Sequence, residues 1–547
     1  MTSTVDTPAV PAGSGASAQA KIAASLYNAA ADLIDRNLPA RAQKIAFVDD
    51  AGTYTYGELA QRVGRCSNAL RAQGIEIEHR VVVCVLDGID FPVAFLGAIK
   101  AGIVPIPTNT LLTPTDYAYI LADSRARAAI VSAELLPQFR EAAELAQWQG
   151  RIIVSDPNGR LSANATPTFA QLLKRAEPDA PTAPTRRDDI CFWLYSSGST
   201  GAPKGTVHVQ TSLTQTAELF AQHVLGFTDN DVVYSAAKLF FAYGLGNALT
   251  FPLAVGATSV LFAGRPTPDN VNAVLRDRKP TIFCGVPTLF SNMLAHDGLP
   301  ARADLALRLC TSAGEALPEE IGRTWTARTG VEIIDGIGST EMLHIFVSNR
   351  PGAVRYGTTG RAVPGYQVRL VDADRKPVEA GEIGELEVRG PSAAAFYWNN
   401  REKTRATFLG EWLRTGDKFR MTADGDLVHC GRADDMLKVG GIWVSPVEVE
   451  GTLQKHEAVL EAAVIGVTDD NGMVKPKAFI VLKPGVAEHP ELASELKLFV
   501  KSQLAPYKYP RWIEFVKELP KTSTGKTKRH LLRERENELR ARQPVQA

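Results

Sequence analysis

The chain has no surplus of charge of either sign: sixty Lys and Arg balance sixty Asp and Glu. That balance removes the electrostatic reason to expect a nucleic-acid or anionic-membrane partner. Cysteine is sparse. Cys66, Cys84, Cys191, Cys284, Cys310 and Cys430 stand singly, with no C-x-x-C pair and no His/Cys cluster at zinc spacing. Neither a structural metal nor a disulfide framework is expected. Those inside apolar runs, "VVVCVL" and "TIFCGV", read as small core residues in a reducing cytosol. The first residues lack a basic region followed by an apolar core. A secretory signal is not expected, and the Ala/Ser/Pro/Gly-rich stretch 1–20 reads as a disordered tail. There is no internal repeat. Residues 239–264 carry no charge, but Asn247, Pro252, Gly244, Gly246, Gly256 and Gly264 interrupt the run. It reads as a buried helix followed by a buried strand rather than a membrane span. A cytoplasmic protein is expected, either a monomer or a homodimer.

What is present is length and rhythm. A chain of 547 residues exceeds what one core organises, so at least two domains are expected. Residues 45–48 read as a strand. Thr55 and Glu58 make a capping-box pattern, and Leu59, Val63, Cys66 and Leu70 follow at helical spacing. A strand at 81–86, a helix at 91–100 and a strand in "GIVPIP" follow, and the same rhythm returns over 231–309. Strands alternating with helices imply parallel sheet. After about residue 354 the pattern alternates and is broken by Gly and Asp, which reads as antiparallel sheet. Beyond Arg432 a smaller α+β unit is expected. Its parts are strands in "EAAVIGV", "KAFIVL" and "WIEFV", a turn at Asp470, Asn471 and Gly472, and a helix near 490–504. The Pro-containing stretch 176–188 reads as a surface connection.

The most suggestive stretch is "YSSGSTGAPK", 195–204. Ser196, Ser197, Gly198, Ser199, Thr200 and Gly201 supply hydroxyls and permissive backbone, so amide and hydroxyl protons can turn inward on a phosphate while Lys204 adds charge. It is not a Walker A loop. Counting from Gly198, Pro203 stands where the second glycine belongs and Gly205 where the hydroxyl belongs. A flexible linker is the alternative, opposed by the embedded "PKG" and the strand-like "ICFWLY" before it.

Four further stretches occur in order: "DGIGSTEM" at 335–342, "RTGDKF" at 414–419, "GRADDMLKVGGIWVSPVEVE" at 431–450 and "PKTSTGKTKR" at 520–529. With the first, they resemble the motifs of the adenylate-forming superfamily: acyl- and aryl-CoA ligases, peptide-synthetase adenylation domains and luciferases. The resemblance covers nearly the whole chain. "DGIGSTEMLHIF" and "KLFFAYGLGN" look most like the benzoate–CoA ligases. The resemblance implies a large N-terminal α/β domain over 21–433, with parallel-sheet layers and an antiparallel β subdomain. A small mobile α+β domain over 434–547 would hinge at Asp434.

It also implies ATP and Mg2+ as cofactors, coenzyme A as co-substrate and a small aromatic carboxylic acid as partner. Asp335 and Thr340 would belong to the nucleotide site, Thr340 at the α-phosphate. Glu341 would hold the metal, although one loop acid is more often simply solvated. Asp417 would accept from ribose hydroxyls, or serve only as a turn residue beside Gly416, and Arg432 would join it. Gly314, Glu315 and Ala316 would form the loop against adenine, where the string alone reads as a helix start. Lys526 would be catalytic, as a cation between two anions that must meet; by spacing alone it is a solvated lysine in a basic tail. Gly440 and Gly441 would line the coenzyme A channel or make a plain hairpin turn.

The family often has an aromatic residue where this chain has Ile337, so aromatic stacking on adenine from that position is not expected. Phe241, Ala242, Tyr243, Ile337, Gly338 and His344 are the candidate acid pocket, with core packing the alternative for Phe241 and Tyr243. Ala242 stands where amino-acid-activating relatives carry an Asp, which disfavours an ammonium-bearing substrate. The expected function is conversion of benzoate or a close aryl acid to its CoA thioester through an acyl-adenylate. The alternatives are a short- or medium-chain aliphatic acyl-CoA synthetase, a non-catalytic nucleotide sensor and a luciferase-like monooxygenase.

Overall fold

Residues 25–160, 168–198, 201–439, 442–469, 473–521 and 527–541 are described by a computed structural model. The stretch 1–20 and the turn at Asp470, Asn471 and Gly472 lie outside the described residues.

Strands from Ile45–Val48 to Arg361–Ala362 build two large sheets, one wholly parallel and one with a parallel centre. In the first, Val104–Pro107, Arg80–Cys84, Ala128–Ser132 and Arg151–Ser155 lie side by side, all parallel. The helices Tyr56–Ala72 and Asp90–Lys100 pack closely enough that a Cβ on Gly97 would stand 2.5 Å from the Cys66 Cβ. The capping box forms as read: the Glu58 amide donates to Thr55 Oγ1 at 3.2 Å, and the Thr55 amide to Glu58 Oε2 at 2.8 Å. Leu59, Val63, Cys66 and Leu70 are all buried.

The second sheet has nine strands. Its parallel centre runs Ile333–Gly338, Leu309–Ser312, Ile282–Gly285, Val232–Ser235, Thr258–Val260 and Ile45–Val48. Antiparallel strands close both ends. The uncharged run 239–264 threads this core as the helical segments Ala242–Leu245, Gly246–Thr250 and Phe251–Val255 and then the strand Thr258–Val260. No described helix is long and apolar enough to cross a membrane. All six cysteines are buried and free, as their apolar settings suggested.

Gln367–Val371, Ile383–Arg389, Trp412–Met421 and Leu427–Arg432 pair antiparallel in sequence order, with Phe408–Leu409 alongside. Beyond them, Val459–Thr468 and Val474–Leu482 form an antiparallel pair joined in parallel by Trp512–Phe515. The helices Pro446–Leu453, Leu492–Gln503 and Arg529–Ala541 accompany these strands. From Leu437 onward the buried apolar side chains cluster among themselves. The stretch 176–188 is mostly exposed, as a surface connection would be, but two residues in it are tied inward. Ala183 and Thr185 are buried, and the Thr185 hydroxyl donates to the Tyr27 carbonyl at 2.7 Å.

Candidate active site

The Gly/Ser-rich stretch is the end of a β-hairpin. Ile190–Gly198 pairs antiparallel with Gly201–Val209, setting Tyr195 opposite Gly205 and Ser196 opposite Lys204. Ser199 and Thr200 lie outside the described residues. Tyr195 anchors one strand by donating to Asp123 Oδ2 at 2.6 Å. Ser196 Oγ is buried with no hydrogen-bond partner among the described residues. Such an orphaned hydroxyl suits a site that an oxyanion would complete.

Phe396–Tyr397 adds a third strand to the hairpin, with Tyr397 in register with Thr206. This brings a residue missed in the sequence into the centre of the site. The Tyr397 hydroxyl donates to Glu341 Oε1 at 2.7 Å, and the Lys204 ammonium sits 4.5 Å from the centre of the Tyr397 ring. Lys204 Nζ lies 4.0 Å from Glu341 Oε1. Burial lowers the Lys204 pKa and Glu341 opposes that shift. Burial first, then the Glu341 charge, drives the Tyr397 phenol well above its ordinary range, so it stays a donor.

The turn bearing Thr340 and Glu341 follows the strand Ile333–Gly338. His208 Nε2 donates to the Thr340 carbonyl at 2.8 Å, and the Ala394 amide to the Glu341 carbonyl at 2.7 Å. Burial pushes His208 down to about 4, so a neutral imidazole holds the turn. Asp335, on the same strand, is buried, and Oδ1 has no hydrogen-bond partner among the described residues. Burial drives its carboxyl well above the usual range.

Asp417 and Arg432 face each other across paired strands. Arg432 Nη1 donates to Asp417 Oδ2 and to the Thr415 carbonyl, each at 3.1 Å, and His429 Nε2 lies 3.4 Å from Asp417 Oδ1. Gly416 supplies the left-handed backbone of this turn, at φ +72°, and a Cβ there would stand 2.9 Å from Arg432 Nη2. Gly314, Glu315 and Ala316 form a turn after the strand Leu309–Ser312, and the following helix begins only at Glu319. The isolated string had suggested a helix start there. Glu315 Oε2 accepts from the Thr288 hydroxyl at 3.3 Å, and Oε1 accepts the Thr527 amide at 3.2 Å.

The candidate pocket residues lie along the seam between two core clusters, with Phe241 and Ala242 packed against one and Tyr243 and Ile337 against the other. Tyr243 Oη pairs with Thr311 Oγ1 at 2.6 Å. His344 is enclosed by aromatic rings, 4.5 Å from Phe251 and 5.5 Å from Phe220 and from Tyr243. Its Nε2 donates to the Tyr243 carbonyl at 3.3 Å, and burial pushes it down to about 3. Two glycines make room for it. A Cβ on Gly246 would stand 2.4 Å from His344 Cδ2, and one on Gly338 would stand 2.6 Å from the His344 carbonyl oxygen.

Asp434 follows the strand Leu427–Arg432; burial lowers the Arg533 pKa, and the Asp434 carboxylate opposes that shift. The next residue, Asp435, pairs with Arg533 and lies 3.7 Å from Arg529. Lys526, Gly440 and Gly441 lie outside the described residues. Tyr397, His208 and Thr288 were missed because nothing local marks them; only the folded topology carries them to the motif residues.

The arrangement of a cation-bearing hairpin, an acidic turn and a separate C-terminal unit is that of an enzyme that activates through a nucleotide. The chain belongs to the AMP-binding enzyme family, whose main region matches residues 34–398 and whose C-terminal domain matches residues 448–526. Among named relatives, it is 60% identical to the benzoate–CoA ligase of Thauera aromatica over 93% of this chain and 96% of that one. A crystallised benzoate CoA ligase from Burkholderia xenovorans superposes with a TM-score of 0.87 at 56% identity, covering 93% of this chain and all of that one (100%). An anthranilate CoA ligase in complex with anthranoyl-AMP superposes with a TM-score of 0.91 at 44% identity, covering 94% and 98%.

Proposed function

We propose that the chain is an ATP-dependent aryl–CoA ligase that converts benzoate, or a close aryl carboxylate, to its coenzyme A thioester through an acyl-adenylate. One observation carries the reaction: Lys204, Glu341 and Tyr397 converge from three distant segments beside the orphaned hydroxyl of Ser196. The preference for a flat acid is supported by the apolar, aromatic seam at Phe241, Tyr243 and His344, and by relatives named for benzoate and anthranilate.

The residues divide the work. The hairpin stretch, from Ser196 through Ser197, Gly198, Ser199, Thr200 and Gly201 to Lys204, holds the phosphates, with Thr340 at the α-phosphate. Asp417 and Arg432 hold the ribose end, and the turn Gly314, Glu315 and Ala316 flanks the base. Mg2+ binds through one or two carboxylates together with substrate phosphates, and Glu341 is the carboxylate that would hold it. Mg2+ there would offset the charge of the triphosphate.

A carboxylate oxygen of the acid attacks the α-phosphorus, and the bond to pyrophosphate breaks. Lys526 offsets the charge that builds between the two anions. The thiol of coenzyme A then attacks the acyl carbon, AMP leaves with the bonding electrons, and the thiol proton passes to solvent. The small unit, 434–547, turns at Asp434 between the steps, bringing Gly440 and Gly441 to the coenzyme A channel.

The test is pyrophosphate release with ATP and coenzyme A across benzoate, hydroxy- and aminobenzoates and hexanoate. Benzoate or a substituted benzoate is expected to give the highest kcat/KM. Hexanoate outrunning every aryl acid would favour the aliphatic reading, and ATP binding without release for any acid would favour a sensor.

A further inference from the structure

The turn that carries Thr340 and Glu341 is held by its backbone as well as by its side chains. Three successive carbonyls accept from outside it: Thr340 from His208 Nε2 at 2.8 Å, Glu341 from the Ala394 amide at 2.7 Å and Met342 from the Ser392 hydroxyl at 2.7 Å. Ser392 lies in the connection between the strands Ile383–Arg389 and Phe396–Tyr397 and is fully buried. A carbonyl only accepts, so the Ser392 proton points at Met342, and the Tyr366 hydroxyl, 2.7 Å from Ser392 Oγ, donates to it. Burial pushes the Tyr366 phenol up to about 12, so it keeps that proton. The peptide held in this way leads into Leu343, whose φ of +65° is sparsely populated for a residue with a side chain. Such a conformation persists only where its surroundings hold it. The same segment then grips the hairpin: the Ala395 amide donates to the Val207 carbonyl and the Trp398 amide to the Gly205 carbonyl, each at 2.8 Å. One stretch, 392–398, therefore holds both the acidic turn and the residue beside Lys204.

We propose that Ser392 is a positioning residue for acid activation: by holding the Met342 carbonyl it keeps the turn closed and Glu341 at its 4.0 Å separation from Lys204. The proposal rests on the reading that Glu341 holds the metal beside the phosphates. A carboxylate that must meet a bound cation and a triphosphate together works only from a fixed place. Without the Ser392 hydroxyl, the peptide between Met342 and Leu343 loses the bond that opposes its rotation, and Glu341, one residue before it, moves with it. Tyr366 differs. Its hydroxyl supports Ser392 without touching the turn, so its loss leaves the bond to Met342 in place.

The test compares wild type, Ser392→Ala, Ser392→Cys and Tyr366→Phe. Ser392→Ala and Tyr366→Phe both remove a hydroxyl from one buried network, and thermal unfolding should find both destabilised. Only Ser392→Ala is expected to lose acid activation, by about 5- to 30-fold in kcat/KM for benzoate-dependent ATP–pyrophosphate exchange, with Tyr366→Phe within about twofold of wild type. Thioester formation from supplied benzoyl-adenylate, which needs no triphosphate, should stay within about threefold in both. In calorimetry, the Mg2+ concentration that half-saturates the gain in ATP affinity should rise about 5-fold or more in Ser392→Ala and stay unchanged in Tyr366→Phe. Ser392→Cys fills the same space with a weaker donor and should fall between wild type and Ser392→Ala in both readouts; it carries the test if Ser392→Ala does not fold. Activity that tracks stability, falling equally in Ser392→Ala and Tyr366→Phe, overturns the proposal, because it marks general support of the fold. So does an unchanged Mg2+ dependence in the Ser392 variants. Wild type without benzoate-dependent exchange would overturn the functional reading alone, and the Mg2+ dependence of ATP binding would still decide whether Ser392 places Glu341.

Discussion

Tyr397→Phe removes one oxygen and leaves the surroundings in place. The ring still packs against Phe408, centroids 5.4 Å apart, and still lies under the Lys204 ammonium. What disappears is the 2.7 Å hydrogen bond to Glu341 Oε1. A hydrogen bond to a charged group contributes about 1.5–3 kcal/mol. The Glu341 side chain is 15% exposed, so water restores part of that. A net cost of about 1–2 kcal/mol corresponds to roughly a 5- to 30-fold loss in kcat/KM for adenylation. Because burial and the Glu341 charge keep the phenol protonated, the deficit should be flat from about pH 6 to pH 9. ATP–pyrophosphate exchange with benzoate, at several Mg2+ concentrations and across that range, measures it. Wild-type activity in Tyr397→Phe, or a deficit that changes with pH as a titrating phenol would, refutes the reasoning.

Other perturbations follow from the same geometry. Gly246→Ala puts a Cβ 2.4 Å from His344 Cδ2; it should destabilise by about 1–3 kcal/mol and raise KM for benzoate, read by thermal unfolding and steady-state kinetics. His208 is held neutral, its pKa depressed to about 4 in the fold. The unfolded chain therefore binds the extra proton first as pH falls below about 6.5, and stability drops from there toward pH 4, by an amount on the order of 3 kcal/mol for this residue. Urea midpoints should show a shallower fall in His208→Gln, whose amide can still donate to Thr340. Lys526→Ala should lose adenylation by at least about 100-fold while thioester formation from supplied acyl-adenylate is far less affected, and equal losses would remove the division of labour. Asp434→Pro should stall after adenylation because proline fixes φ at the hinge; normal turnover would remove the hinge.

Local signals were legible. Thr55 and Glu58 cap the helix that follows them, the 239–264 run is buried helix then strand, and the C-terminal unit has strands at "EAAVIGV", "KAFIVL" and "WIEFV" as expected. Capping, periodicity and turn chemistry are decided within a few residues, so one sequence suffices. Membership of the family was legible for a different reason: the order of the motifs resembles that family's, and the family models match the chain. What stayed hidden depends on which strand lies beside which. Tyr397 reaches Glu341 across 56 residues only because Phe396–Tyr397 pairs with the hairpin. Nothing in the string around Glu315, read as a helix start or as the loop against adenine, announces its bond to the Thr527 amide. Ala183 and Thr185 are likewise buried in an otherwise exposed connection because Tyr27 and Lys100 take their backbone and hydroxyl groups.

The central claim, that the acid's own oxygen attacks the α-phosphorus of ATP, is tested most directly with benzoate carrying heavy oxygen in its carboxylate. After turnover with ATP and coenzyme A, mass spectrometry should find one labelled oxygen in AMP and none in pyrophosphate. Unlabelled AMP, or label in inorganic phosphate released with ADP, would contradict the account.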